Sequence, residues 1–222
     1  MIGPFDFGPV LENFDLLLRG ARLTLLLWAI AFAFALVAGL FVGIARSSPR
    51  RWLNWPATAY VELFRNIPVL VQLIWFYFAF PVLSGVRLSP FAASAIGLSL
   101  NASAYCAEIY RGGLQSVARG QWEGGRALGM GEVQLMGRII LPQAVRRMIP
   151  AFTNRAVELL KNTAIASILV VHELMYEARE LSAETFLPLE TFAVVGVVYF
   201  LLIWPGTLFS SYLERRLARQ GG

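Results

Sequence analysis

The sequence predicts an all-α integral membrane protein with five transmembrane helices and short cytoplasmic helices between two of them. Three observations carry that prediction. Apolar residues make up 57% of the 222-residue chain and charged residues 15%, against about 45–50% and about 25% in soluble domains. Leu23–Ala45, Asn66–Val86, Leu88–Ala107 and Thr191–Leu213 carry no charge, and each approaches the ~20 apolar residues that a spanning helix needs. A segment in lipid must satisfy its own backbone hydrogen bonds, which favours helix over open sheet.

The elements follow in order. Residues 1–19 read as an external N-terminal segment, and Phe14–Arg22 as a short amphipathic lead-in at the outer interface. Leu23–Ala45 is the first span. Asn66–Val86 and Leu88–Ala107 meet at Arg87, with Pro81, Gly85 and Pro90 around the turn, and read as a hairpin. A weaker span, Ile149–Val171, contains Arg155, Glu158 and Lys161. Thr191–Leu213 is the last span, and residues 216–222 form a tail.

Five spans put the termini on opposite faces, and basic residues choose between them. Twelve arginines fall in one set: Arg46, Arg50 and Arg51, six from Arg111 to Arg147, and Arg215, Arg216 and Arg219. Arg19, Arg22, Arg87 and Arg179 form the other. The first loop, the long loop and the C-terminus are therefore expected in the cytoplasm and the N-terminus outside. The segment Glu173–Glu190, with five glutamates against Arg179, is expected outside as well. Asp6 is the first charge and no signal-peptide pattern opens the chain, so insertion is expected through its own spans.

Composition also excludes functions. One cysteine, Cys106, and one histidine, His172, leave no intrachain disulfide and no metal cluster. We expect no metal site and no catalytic set. Cys106 reads as a packing residue and His172 as an interfacial one. The net charge of +5 is spread among apolar spans, which argues against nucleic acid. Lys161 is the only lysine and follows Val157-Glu158-Leu159-Leu160, so there is no phosphate-cradling G-x-x-x-x-G-K-[ST] loop. The chain is expected to bind no cofactor of its own.

Charges near the spans fall at i, i+3: Glu62 with Arg65, Glu108 with Arg111, and Arg155 with Glu158. The first two pairs read as local ion pairs at the cytoplasmic ends. Ionisable groups at membrane depth face a bundle interior or a wet cavity, so Glu158, Lys161 and Asn162 are candidates for a translocation pathway. Gln72, in an uncharged span, is a fourth candidate; it either faces the pathway or bonds across helices. The aromatics from Trp75 to Phe80 read as lipid belt or core packing.

The gap of about forty residues before Ile149 is the longest polar stretch. Gln115–Leu128 has helix-forming character, Gly129 and Gly131 break it, and Glu132–Ile140 reads as a second short helix that Pro142 stops. Trp122, Leu128, Leu135 and Met136 would dock this knob on a partner, or the helix pair packs on its own bundle.

Within it, Glu123-Gly124-Gly125, Gly129, Ile139 and Leu141-Pro142 resemble the EAA loop of bacterial ABC importer permeases. Gly124 and Gly125 stand where that loop usually has alanines. Phe64–Leu73, Ala107–Val117 and Leu159–Thr163 resemble signatures of the polar amino acid permeases in that group.

The resemblance implies a type I ABC importer transmembrane domain over residues 20–215. Its coupling loop, about residues 115–145, would sit in a groove of a separate ATPase subunit, which would hold ATP and Mg. It also implies a second permease subunit, identical or paralogous, an external amino-acid-binding protein and a site in the bacterial inner membrane lipid. Transport would proceed by alternating access, with glutamate, aspartate or an amide as the suggested substrate. The rival reading is an oligomeric ion-coupled secondary transporter or channel. The absence of an internal repeat argues against it, and a secondary carrier has no use for a docking knob.

Overall fold

The computed structural model describes residues 5–218, so the part of the expected tail beyond Ala218, with Arg219, lies outside the described residues. Helix α1 (Gly8–Glu12) is a single turn that buries Val10. Helix α2 (Phe14–Arg46) runs 33 residues without a break, so the expected lead-in Phe14–Arg22 is its first two turns. Leu27, Ala31, Ala35, Gly39 and Gly43 recur every fourth residue and bury one narrow stripe. A Cβ at Gly39 would lie 2.9 Å from the Ser103 carbonyl oxygen, and one at Gly43 3.0 Å from that of Ala107. Small residues bring two backbones into contact here, where lipid offers helices no hydrophobic drive to associate.

The opposing backbone belongs to α6 (Pro90–Gln115), the central helix. Ser89 caps it by accepting from the Ala92 N–H at 3.2 Å, and Pro90 occupies the first turn, where no N–H is needed. Between α2 and α6 the chain forms α3 (Arg51–Asn66), α4 (Val69–Ile74), a π-turn (Trp75–Ala79) and α5 (Phe80–Ser84). Pro68 forces Ile67 into extended backbone, φ −93° and ψ 131°, and the axis turns by 107°. Gly85, at φ 73°, ends α5 in a left-handed conformation that suits glycine.

After α6 come α7 (Arg119–Ala127), α8 (Glu132–Leu135), a π-turn (Met136–Ile140), α9 (Leu141–Asn162) and a 3-10 segment (Thr163–Leu169). Helices α10 (Leu174–Thr185) and α11 (Pro188–Ala218) complete the described chain. The main core joins α2, α4, α6, α9 and the 3-10 segment through Leu27, Leu73, Leu98, Leu159 and Leu169. A second cluster seats α10 on α2 and α11 through Leu17, Leu174, Leu181 and Val195.

Several expectations change. By length and apolar composition, α2 and α11 qualify as spans, and α3 with Val69–Ser84 makes a third if the bent pair is one span. The charge-free stretch Asn66–Val86 is thus only the far arm of a bent element, whose near arm carries Glu62 and Arg65. Pro142 does not stop a helix. The preceding π-turn, closed by Leu141 N–H to the Met136 carbonyl, widens the turn at the point where the proline ring would otherwise clash. Pro81 follows the same device, with Phe80 N–H bonded to the Trp75 carbonyl. Residues Glu173–Glu190 are largely helix, and Glu173 and Glu190 are buried.

Candidate functional site

The knob is built around Leu135, which is fully buried among Val117, Ile140, Ala144 and Met148. Trp122, Met136 and Ile139 pack half-buried against the same cluster. Three of the four apolar residues expected to dock a partner therefore hold the knob to its own bundle; only Leu128, 81% exposed, faces outward. Val133, 89% exposed, joins it and was missed, because a lone valine among polar residues carries no periodic signal. Gly129, at φ 75°, makes the left-handed turn between α7 and α8. Arg126 Nε donates to Glu132 Oε1 at 3.0 Å across that turn. Glu123 is exposed on α7, Pro142 is exposed at the start of α9, and Leu141 is 42% exposed.

Gly125 is buried, and a Cβ there would run into Leu135 Cδ1; Gly124 faces open space. The second glycine thus admits Leu135 under α7, while the first has no packing reason.

The second constellation surrounds Arg155, 4% exposed on α9. Its Nη1 donates to Glu158 Oε2 at 2.9 Å and its Nη2 to Asn101 Oδ1 at 2.8 Å. Its guanidinium lies 4.0 Å from the centre of the Tyr105 ring, an arrangement that stabilises a cation. Asn101 Nδ2 donates to the Phe64 carbonyl at 2.8 Å, where α3 ends at the bend. A cavity of about 280 Å³ opens here, lined by Arg65, Asn101, Tyr105, Arg155, Glu158 and Asn162 among others. It presents cations, a half-exposed carboxylate and amides, groups that match an ammonium and a carboxylate on one small ligand.

The four expected pathway residues separate. Glu158 and Asn162 line this cavity. Lys161 is exposed near the end of α9 and makes no hydrogen bond or ion pair among the described residues. Gln72 bonds across the bend, Nε2 donating to the carbonyls of Phe64 at 2.9 Å and Ile67 at 2.7 Å. It lines a separate apolar cavity with Phe64, Trp75 and Phe76. Asn101 and Tyr105 were missed. A lone amide inside an uncharged span, the same signal that marked Gln72, would have found Asn101.

The ionic groups near the end of α2 also rearrange. Glu108 and Arg111 pair as expected, at 2.9 Å. Glu62 bonds Arg46 at 3.0 Å instead of Arg65, and Arg65 reaches Glu108 at 3.4 Å; Arg46 also pairs with Glu108. The bonds run between helices because Glu108 sits where α2, α3 and α6 converge.

Residues 35–219 match the family model described as the binding-protein-dependent transport system inner membrane component. The chain belongs to that family. It is 35% identical over 217 residues to the glutamine transport system permease protein GlnP of Escherichia coli (strain K12), covering 97% of each chain. It is 41% identical over 204 residues to the octopine transport system permease protein OccM of Rhizobium meliloti, covering 88% of this chain and 83% of that one. Among solved structures, an amino acid ABC transporter crystallised with histidines superposes with a TM-score of 0.90 at 31% identity, over 96% of this chain and 99% of that one. The methionine transporter MetNI, inward-facing, shares the fold at a TM-score of 0.75 and 22% identity, over 91% of this chain and 96% of that one. The molecule is thus an amino-acid ABC importer permease with a type I transmembrane fold, a multi-pass membrane subunit rather than the ATPase.

Proposed function

We propose that this permease carries a polar amino acid with a side-chain amide or carboxylate past the Arg155 cavity, by alternating access. A partner ATPase, binding ATP and Mg, drives it through the knob centred on Glu123, Gly129 and Leu141. A second permease copy or paralogue completes the pore, and an external binding protein delivers the substrate. The N-terminus lies outside and the C-terminus in the cytoplasm, as the arginine distribution favours.

The observation that carries the reading is the cavity itself: a carboxylate and guanidinia held together at the bend of α3. Two relatives of this length, one named a glutamine transport system permease and the other a probable glutamine permease, support the amide. Glu158 and Asn162 contact the substrate in this scheme; Arg155 positions Glu158. Gln72 keeps the α3–α4 bend, and Lys161, exposed beside Asn162 on α9, serves the pathway outside this cavity's lining.

The test is uptake by proteoliposomes holding the permease, its ATPase and its binding protein. Glutamine, glutamate, asparagine and aspartate are offered as competing substrates. Glu158→Gln is expected to cut uptake about tenfold, as loss of a charged hydrogen bond does, with the ATPase still bound. Competition by none of the four, or full uptake by the variant, overturns the reading.

A further inference from the structure

A cavity of about 970 Å³ opens where the ends of α2 and α6, the start of α3 and the knob helix α7 meet; Arg46, Asn54, Arg111, Arg119, Trp122 and Met136 are in its lining. Arg46, 14% exposed, is held by Glu62 and Glu108. Arg111 is held by Glu108 at 2.9 Å and by Gln115 Oε1 at 2.8 Å. Neither glutamate is part of the lining, so both guanidinia are fixed without a carboxylate filling the space. Arg119 is exposed and makes no hydrogen bond or ion pair among the described residues. With Arg65 nearby, the cations around this space outnumber Glu62 and Glu108.

The neighbouring surface of α3 is unlike a soluble surface. Trp52 is 69% exposed and Trp55 76% exposed, next to the exposed Arg51. Tryptophan with arginine at a helix end marks the level of lipid headgroups, and basic pockets between helices at the cytoplasmic face take anionic headgroups.

We infer that this cavity binds the phosphate headgroup of an anionic phospholipid. A free phosphate would satisfy the arginines equally; the exposed tryptophans on α3, the helix that also lends Asn54 to the lining, favour the lipid. Because Trp122 and Arg119 belong to α7, the bound headgroup braces the knob against α3. The inference rests on the proposed orientation of the chain, and not on which amino acid is carried.

Native mass spectrometry of the purified full chain tests it, with phosphatidylglycerol and phosphatidylcholine added in equal amounts. One phosphatidylglycerol is expected to be retained preferentially. Arg119→Gln is expected to weaken retention about fivefold, the effect of one arginine near an anionic lipid, and Arg46→Gln at least as much. Arg119 has no partner among the described residues to lose, so its variant separates binding from folding. Equal retention of both lipids, or unchanged retention by Arg119→Gln, overturns the inference. Displacement by millimolar glycerol 3-phosphate would overturn the lipid in favour of a free phosphate site. Labelling of Trp52→Cys by an impermeant maleimide from outside the cell would overturn the orientation instead, and retention in detergent is read independently of it.

Discussion

Glu173 shows how much one side chain ties together. It is fully buried beside α10, outside the apolar spans, and accepts from Thr24 and Tyr199 hydroxyls at 3.2 and 3.0 Å and from the Tyr176 N–H at 2.9 Å. Three elements, α2, α10 and α11, meet on one carboxylate. Burial outweighs those donors and pushes the carboxyl up from 4.5 to about 6. The folded chain therefore binds this proton more tightly than the unfolded chain does. The stability it supplies is full below pH 4.5 and is lost as pH rises through 6, by roughly 2 kcal/mol. Unfolding midpoints between pH 4.5 and 7 should fall for the wild type and lose that component in Glu173→Gln; an identical slope in both would assign the dependence elsewhere. The two glycines of α7 give a second contrast at this scale. Gly124→Ala adds a methyl in open space and should stabilise α7 by up to about 1 kcal/mol. Gly125→Ala must displace Leu135 and should show no such gain. Thermal unfolding of the two variants side by side checks this, and equal shifts would mean that Leu135 moves aside freely.

At the scale of the element, the knob is half self-packed and half presented. Leu135 and Trp122 spend their apolar surface on the bundle, so Leu128 and Val133 are what remains for a partner. Leu128→Asp and Val133→Asp should each weaken capture of the ATPase about tenfold while leaving the unfolding midpoint unchanged, whereas Leu135→Asp should lower the midpoint itself. Undiminished capture by both surface variants would move the contact elsewhere on the knob. The position of this loop was legible because its glycines and Pro142 interrupt an apolar chain. Its inner and outer faces were not, because a helix of nine residues spans too few turns for periodicity to assign a face. Pro142 misled for a physical reason: proline ends a regular α-helix, but a π-turn one residue earlier lets it sit inside a continuous one. The same holds for Pro81, which was read as part of a turn and lies within α5.

Across the whole molecule, charge-free windows located lipid-compatible chain but not its path. They could not show that Ile67-Pro68 turns α3 by 107°, since a bend adds no charge and removes no apolar residue. Nor could i, i+3 spacing show that ion pairs would form between helices. The consequence is that α2, α3 and α6 converge on Glu108, whose side chain is 19% exposed and contacts Arg46, Arg65 and Arg111. Removing that carboxylate leaves Arg46, 14% exposed, with Glu62 as its remaining ion-pair partner. Breaking one partner of a buried pair costs about 3–5 kcal/mol, and partial exposure with a second carboxylate nearby reduces this to about 1–3 kcal/mol. Arg65 is 36% exposed and meets Glu108 at the longest of these distances, 3.4 Å, so its removal should cost under about 1 kcal/mol. Glu108→Gln should therefore lower the unfolding midpoint well beyond Arg65→Gln, and high salt should narrow the gap only slightly, because the inner pair is poorly screened. Equal midpoints for the two variants would mean that Glu108 is one surface charge among several, and that close packing of α2 on α6 holds these helices together without it.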